Sequence, residues 1–205
     1  MYKSKVYGLQ FRVLFMLLLG LLVACNEDYA PKPKAYPRID FPAHSYQNFN
    51  HNDCPFSFDY PTYAKVAKDD IFLNGQTAEH PCWMNIEYPN FKASLHVSYK
   101  DLNGRAAHLP ELVNDAYKMN AKHVLRADFI DDSVIATPNN VKGVYYDVGG
   151  DAASSTQFFL TDSAKHFIWA ALYINATPNQ DSLAPVIQFI RKDIKHLIDS
   201  FVWTE

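Results

Sequence analysis

Glycine is scarce in this chain of 205 residues: it has seven, and two of them, Gly8 and Gly20, lie within residues 1–24. Loops that cradle phosphate groups depend on glycine, because they need positive φ angles and close approach of the backbone. No Gly-x-Ser-x-Gly, phosphate-binding or His-Glu-x-x-His motif occurs in the sequence. The chain therefore offers no motif for nucleotide binding, serine hydrolysis or zinc peptidase chemistry.

Basic residues are also in deficit, with 19 Lys and Arg against 22 Asp and Glu. Residues 1–24 contain three of the bases and no acid, so the remainder has 16 against 22 and a net charge of −6. Nucleic acids and anionic membrane surfaces attract clustered Lys and Arg. We therefore expect no nucleic-acid partner and interpret the charged residues as solvated faces.

Long apolar runs are absent too. The stretch Val13–Val23 has eleven residues without a charge and follows a basic start, whereas a membrane-spanning helix needs about 20 residues. Such a run is typical of a signal peptide. Leu22, Ala24 and Cys25 then resemble the lipobox of bacterial lipoproteins, which is cleaved before a cysteine that carries a diacylglyceryl group. This resemblance predicts a leader over residues 1–24 and a lipid anchor at Cys25, and the alternative is an ordinary secretory signal beside a chance cysteine.

The segment after Cys25 has little to bury. Residues 25–35 include Pro31 and Pro33, and proline-rich segments extend by roughly 3 Å per residue. We predict a tether here, followed by a single domain over residues 36–205. Its aromatic content of 15% and hydrophobic content of 48% are enough for a substantial core. The expected location is the cell envelope, outside the cytoplasm, on a membrane that the sequence does not identify.

Three cysteines are present. With Cys25 assigned to the lipid, Cys54 and Cys82 are left, and export brings them to oxidising conditions that favour a disulfide. His51 and His80 lie close to them, so a zinc site of two Cys and two His is an alternative, although the spacings match no common zinc pattern. Free thiols are the third alternative. We expect the disulfide and no metal.

Alternation of apolar and polar residues predicts strands. The clearest is Phe91–Lys100, in which every second residue is apolar. Shorter strands are predicted over 54–60, 63–67, 83–88, 141–148, 155–160 and 166–174. The last is apolar on both faces, which is typical of a central strand covered on both sides. Gly149 and Gly150 predict a hairpin turn, and residues 69–80 a surface loop.

Two segments show helical spacing instead. The first is predicted over Pro110–Ala127. The second has an apolar stripe from Leu183 to Phe201 and Asp181 or Ser182 as its N-cap. The predicted order is strands in series, a helix, a meander and a closing helix. This order predicts an α+β fold in which two main helices pack on an antiparallel sheet.

Residues suited to catalysis are scattered. The acid pairs at 69–70 and 131–132 lie beside loop signals, and we predict that both are solvated turns. No two of the eight histidines share the helical spacing of a metal pair. The most suggestive local set is Ser154-Ser155 with Asp162 and His166, because Ser-His-Asp triads assemble in space and not in sequence. We expect no enzyme activity and no cofactor.

Two surface features carry weaker hypotheses. The tripeptides that start at Asp132, Asp162 and Asp181 look like the Asp-Ser-aliphatic acceptor of some envelope O-glycosylation systems, and the alternative is that Asp-Ser caps helices and builds turns. Aromatic residues cluster before the strand at 54–60, and exposed aromatics favour interfaces. We predict an interface at Tyr36, Phe41, Tyr46 and Phe49; the alternative is that these rings pack the edge of the sheet.

Five runs of the mature chain carry a family resemblance. The first extends from Cys25-Asn26-Glu27-Asp28-Tyr29 to Tyr36-Pro37-Arg38-Ile39-Asp40. The other four are CPFSFDYPTYAKV from Cys54, CWMNIEYPNFKASLHVSYK from Cys82, SSTQFFLTDSAKHFIWAALYIN from Ser154 and DSLAPVIQFIRKDIKHLIDSF from Asp181. Together they resemble the GldD family of gliding-motility lipoproteins, and the likeness spans nearly all of the mature chain.

This resemblance implies a membrane-anchored component of the gliding machinery, coupled to type IX secretion, that acts through protein contacts without a small-molecule substrate. It offers no catalytic residues to transfer, only Cys25 and the matching Cys54 and Cys82. The order of elements also looks like the Mog1/PsbP type of α-β-α sandwich. Two other classes stay open: a carrier of a small ligand or lipid, which predicts an apolar pocket between helices and sheet, and an envelope hydrolase, which predicts converging Ser or His side chains in a cleft.

Overall fold

A computed structural model describes residues 38–68, 81–177 and 179–204, which contain ten strands and two α-helices. In chain order these are β1 (Tyr46–Asn50), β2 (Phe56–Pro61), β3 (Lys65–Lys68), β4 (Met84–Tyr88), β5 (Ala93–Asp101), α1 (Leu109–Ala121), β6 (Ala127–Ala136), β7 (Lys142–Gly150), β8 (Ser154–Thr161), β9 (His166–Ile174), α2 (Gln180–Ser200) and β10 (Val202–Trp203). The predicted leader, Cys25, the tether, Tyr36 and the loop at 69–80 lie outside the described residues.

Seven strands form the main sheet, in the order β3-β4-β5-β9-β8-β7-β6, and each neighbouring pair is antiparallel. Strand β9 lies between β5 and β8, and most of its residues are buried, which confirms the predicted central strand. Strand β5 buries every second residue, starting with Ala93 and ending with Tyr99. Its other face is half-buried and not fully solvated, partly because the His96 ring packs edge-on against Tyr173 at 5.2 Å.

The two helices cover opposite faces of this sheet. Helix α2 contributes Ile190 and Ile194 to the main core, which also contains Tyr145 of β7. Helix α1 contributes Ala116 to a second core, which contains the next residue, Tyr146. Successive residues of a strand point to opposite faces, so the two cores lie on either side of the sheet. The predicted α+β class, an antiparallel sheet with two main helices packed on it, is confirmed.

A second, three-stranded sheet has the order β1-β2-β10 and was not predicted as a sheet. Strand β1 pairs with β2 from Tyr46 to Asn50, and β10 pairs with the other edge of β2 through only two residues. Phe56 and Phe58 of β2 are buried in the main core beside α2. The sheet was missed because β1 and β10 are too short to show alternation.

Helix α1 ends at Ala121, six residues earlier than predicted. The N–H groups of His123 and Val124 donate to carbonyls three residues back, and such bonds tighten and end a helix. Val124, whose spacing extended the prediction together with that of Ala127, is 61% exposed, and its neighbour Leu125 is 95% exposed. Apolar spacing alone did not mark the end of the helix, because these side chains have no core to face.

Helix α2 begins at Gln180, earlier than a cap at Asp181 or Ser182 predicts, and its cap is a different residue. The side chain of Asn179 accepts the N–H of Ser182 at 3.2 Å, so Asn179 is the N-cap and not Asp181 or Ser182. The Ser182 hydroxyl donates in turn to the Asn179 carbonyl. Asp181 lies in the first turn, where a negative charge is favoured by the helix dipole.

Candidate functional site

Strand β6 is one edge of the main sheet, paired on one side with β7. It has ten residues, of which one, Ile135, is buried, whereas the opposite edge strand, β3, has four and carries a lysine at each end. Asp131 and Asp132 lie in the middle of β6, so the prediction that they form a solvated turn is wrong, although both are exposed. Edge strands are normally short or blocked, because unpaired backbone groups invite another strand.

The backbone groups that β6 turns outward follow from its register. The Thr137 N–H donates to the Val141 carbonyl, and the ladder runs without a shift from Ile130↔Val148 to Ala136↔Lys142. Antiparallel pairs alternate between bonded and non-bonded residues. Ile130, Asp132, Val134 and Ala136 therefore direct their N–H and C=O groups away from β7. No other strand among residues 38–68, 81–177 and 179–204 pairs with this edge.

A cavity of about 470 Å³ lies between this edge and helix α2, and we call it the β6 groove. Strand β6 forms one wall with residues 131–136, β7 contributes Tyr145 and Asp147, and α2 contributes Lys195, Ile198 and Asp199. Phe129 packs its ring over Gly149 beyond the groove, beside the first half of α2, where a Cβ at position 149 would meet the ring at 2.1 Å. A side chain at position 149 would therefore displace the Phe129 ring.

The β6 groove is acidic. Asp131 lies directly opposite Asp147 across the β6–β7 ladder, and like charges in that arrangement destabilise a sheet. Arg191 of α2 forms an ion pair with Asp147 and also donates to the Ser155 carbonyl at 2.8 Å. Within the described part of the chain, Asp131 and Asp199 form no ion pair. Two carboxylates thus face the groove without a cationic partner.

Two buried hydroxyl groups also line the groove. That of Thr137 has no hydrogen-bond partner among the residues that the structure describes, whereas the Tyr145 hydroxyl lies within reach of a side-chain hydrogen bond from Thr156. Tyr145 is 8% exposed, and burial raises the pKa of its hydroxyl group, which therefore stays protonated at neutral pH. A buried hydroxyl without a partner costs free energy, and a ligand in the groove could satisfy it.

The predicted aromatic interface lies elsewhere and contacts the protein's own core. Phe41 stacks on Phe189 of α2 with ring centroids 4.7 Å apart, and Phe49 stacks on Phe58 at 4.9 Å. Tyr46 stacks on His196 at 3.7 Å. Phe41 remains 37% exposed. A role for these three residues in binding a partner stays a prediction, as does that of Tyr36.

Tyr46 also contacts a buried carboxylate that the sequence did not reveal. Asp193 is 1% exposed and accepts hydrogen bonds from His44 and Tyr63 at 2.7 Å each and from Tyr46 at 3.1 Å. Burial and the neighbouring Asp193 charge raise the pKa of Tyr46 to about 12. Asp193 therefore ties residues 44–63 to helix α2. The signal that could have found it is an acid within the apolar stripe, three residues after Ile190 and four before Leu197.

Cys54 and Cys82 are joined as a disulfide, with Cα atoms 5.5 Å apart. Both are buried in the main core, where they connect the segment before β2 to the segment before β4. The two sulfur atoms of the alternative zinc site are therefore bonded to each other, and His80 lies outside the described residues. No group of three or more potential metal ligands occurs among the residues described.

The Ser-His-Asp set is not assembled. Ser154 pairs with Tyr173 at one end of the β8–β9 hairpin, whereas His166 begins β9 at the other end. The Ser154 hydroxyl is buried and donates to the Thr156 carbonyl. Asp162 accepts the N–H groups of Ala164, Lys165 and His166 at 2.8–2.9 Å. Residues 162–165 connect β8 to β9, and Asp162 holds this turn through its hydrogen bonds. Turn formation was the alternative stated above for the Asp-Ser tripeptide that starts at Asp162.

Replacing Asp162 by asparagine should destabilise the protein in a pH-dependent way. Partial burial opposes ionisation, but the three backbone N–H donors outweigh it and lower the pKa of Asp162 below 3.8. A lowered pKa stabilises the fold above the unfolded-state value, and this contribution is lost as the pH falls through the folded-state value. The difference in unfolding free energy between wild type and Asp162→Asn should therefore be constant above about pH 5 and shrink below pH 3.8. Urea titrations from pH 2.5 to 7 measure it, and a difference that grows on acidification would contradict this role.

The sequence profile described as gliding motility lipoprotein GldD matches residues 26–203. The chain belongs to this family. Membership gives the protein a general role in gliding motility and places it in the cell envelope as a lipoprotein. Among the described residues, no helix has the length and apolar character to cross a membrane. The family resemblance inferred from the sequence is confirmed.

No curated protein matches the chain. The solution structure of cyanobacterial PsbP (CyanoP) from Synechocystis sp. PCC 6803 is similar with a TM-score of 0.37 and 12% identity, covering 85% of this chain and 99% of that one. The α+β class of this protein is defined by its own strands and helices.

Proposed function

We propose that this protein is a membrane-anchored, non-catalytic component of the gliding machinery, associated with type IX secretion, and that it works through protein–protein contacts. The observation that carries the proposal is the family match over residues 26–203. It covers nearly all of the residues that the structure describes and so applies to the domain itself.

Attachment to the membrane is the first part of the proposal. The leader pattern, Cys25 and the tether at 25–35 support a lipid anchor, because each buried methylene contributes about 0.8 kcal/mol and two acyl chains suffice for stable attachment. The tether would hold the domain roughly 30 Å from the bilayer surface. The folded domain then presents its surface to other envelope proteins.

Action through contacts is the second part. Among the described residues, the Ser-His-Asp set is not assembled and no metal cluster occurs. The cavity between helix and sheet is lined by four aspartates and a lysine beside apolar residues such as Ile135 and Ile198, and its charged groups favour a polar partner over the apolar ligand of a carrier. The exposed β6 edge supplies a surface for protein contact.

Deleting the gene should abolish colony spreading, and the wild-type gene should restore it. A Cys25→Ala gene should fail to restore it at equal protein levels, because the domain loses its place at the membrane. Spreading, secretion of a type IX cargo and the mass of the amino-terminal peptide are the measurements. A matched control is Ser57→Ala in β2, which leaves the anchor intact. Unchanged spreading in the deletion strain refutes the motility role, and full rescue by Cys25→Ala refutes the need for the anchor.

A further inference from the structure

We propose that the β6 edge binds an extended, basic segment of a partner protein as an additional strand, with a Lys or Arg side chain of that segment in the β6 groove. This proposal rests on the proposed function, since it names the kind of partner through which the domain would act. Three observations carry it: the open backbone of β6, the charge of the groove and the exposed apolar side chains along the edge.

The backbone supplies the affinity. Ile130, Asp132, Val134 and Ala136 turn their N–H and C=O groups away from β7, so a new strand has four residues to bond with. Sheet edges of this kind take up extended peptides in many complexes, with main-chain hydrogen bonds giving affinity and alternate side chains giving specificity. Ten residues are enough for a peptide to form a continuous ladder with β6.

The two faces of β6 define the side chains that such a segment needs. Asp131 and Ser133 share the face of Asp147 and Tyr145, which is the groove face. A neighbouring strand lies about 5 Å away, so a long cationic side chain on it reaches Asp131 and Asp199.

The opposite face calls for an apolar residue. Val134 is 82% exposed there and lies opposite Val144 in the ladder. If Asp131 and Asp132 only protected the edge against aggregation, a largely exposed valine two residues after them would work against that purpose. The partner sequence that fits thus alternates basic and β-branched residues.

A second copy of this chain fits less well. Antiparallel pairing of two β6 strands through their outward-facing residues sets either Asp131 or Asp132 of one copy opposite the same residue of the other in the two longest registers. Like charges directly opposite are destabilising, and the net charge of the chain is negative. Charge complementarity therefore selects a basic partner.

The test uses a ten-residue peptide that alternates lysine with valine and threonine, and the mature protein from Asn26 onward. We expect binding by fluorescence anisotropy, weakened by salt, with slowed hydrogen exchange at the amides of Ile130, Asp132, Val134 and Ala136. A peptide with glutamate in place of lysine should not bind. The lysine peptide N-methylated along one edge keeps its charge but cannot form the ladder, and it should not bind either.

Val134→Pro removes one outward N–H without taking a hydrogen bond from the β6–β7 ladder, and we expect it to weaken binding by roughly tenfold or more. Val134→Ala is the matched control, since it keeps the N–H. The pair Asp131→Lys and Asp199→Lys should also weaken binding about tenfold at low salt, whereas Asp115→Lys on the exposed side of α1 should leave it unchanged. The N-methylated peptide on wild-type protein serves as the test if the proline variant does not fold.

Several outcomes overturn the proposal: no binding of the lysine peptide, equal binding of its N-methylated form, or full binding by Val134→Pro. A wild-type dimer in sedimentation runs that Val134→Pro dissociates would assign the edge to a second copy. In cells, lost spreading in the deletion strain together with full spreading in the Val134→Pro strain would refute the docking site and leave the proposed function intact. Normal spreading in the deletion strain would instead refute the proposed function.

Discussion

Replacing Cys54 or Cys82 by serine should lower the free energy of unfolding by about 3–4 kcal/mol, through loss of a cross-link that closes a loop of 28 residues. The physical reason is that the disulfide restricts the unfolded chain, which gains conformational freedom when the bond is removed. A smaller contribution comes from burying a hydroxyl group in place of sulfur, since both positions are less than 6% exposed.

Urea titration of the mature protein measures this effect. The double variant Cys54→Ala with Cys82→Ala removes the cross-link without adding a buried hydroxyl, and reduced wild-type protein should match it closely. A reducing agent should leave the double variant unchanged. A loss below about 1 kcal/mol in the double variant would show that the cross-link contributes little to this fold.

Replacing Asp193 by alanine should lower the free energy of unfolding by about 3 kcal/mol. Each hydrogen bond to a charged acceptor stabilises the fold by roughly 1.5–3 kcal/mol. The cost of removing the carboxylate from water offsets part of the sum. Three donors, from His44, Tyr46 and Tyr63, lose their acceptor together. Segment 44–63 would then detach from helix α2 more readily. Asp199→Ala, on the exposed side of the same helix, is the matched control and should change stability by no more than about 0.5 kcal/mol.

The same variant has an optical signature. Burial and the Asp193 charge raise the pKa of Tyr46 to about 12, against an ordinary value of 10.0. A raised pKa contributes stability that is complete below pH 10 and is lost as the pH rises through the folded-state value. Ultraviolet titration of Asp193→Ala should show a tyrosine that ionises closer to pH 10. A titration curve identical to wild type would mean that Asp193 does not control this group.

The elements that could be predicted from the sequence are those with one face in a core. Strand β5 alternates because Leu95 and Val97 face the core and their neighbours do not. The stripe of helix α2 is visible for the same reason, since Ile190 and Ile194 are fully buried. Where a residue faces the core, hydrophobic burial selects apolar side chains at a regular period. That period can be read without coordinates.

The candidate site had no such signal. Strand β6 is exposed along nearly its whole length, so burial imposes no period on it, and Asp131-Asp132 appeared as a turn. Asp193 interrupts an apolar stripe, and its meaning depends on donors that lie 130 to 149 residues away in the chain. Neither the open edge nor the buried carboxylate can be recognised until distant segments are brought together.

The amino-acid sequence by itself thus determined the family and the α+β class, because motif and periodicity are local properties of the chain. Its lipobox and tether predict the anchor in the same local way. Only the tertiary structure decided which strand forms the edge, which carboxylates face an open groove and which one is buried under tyrosines. Those features arise from contacts between remote segments, and their free energies depend on burial and distance, which no short stretch of sequence contains.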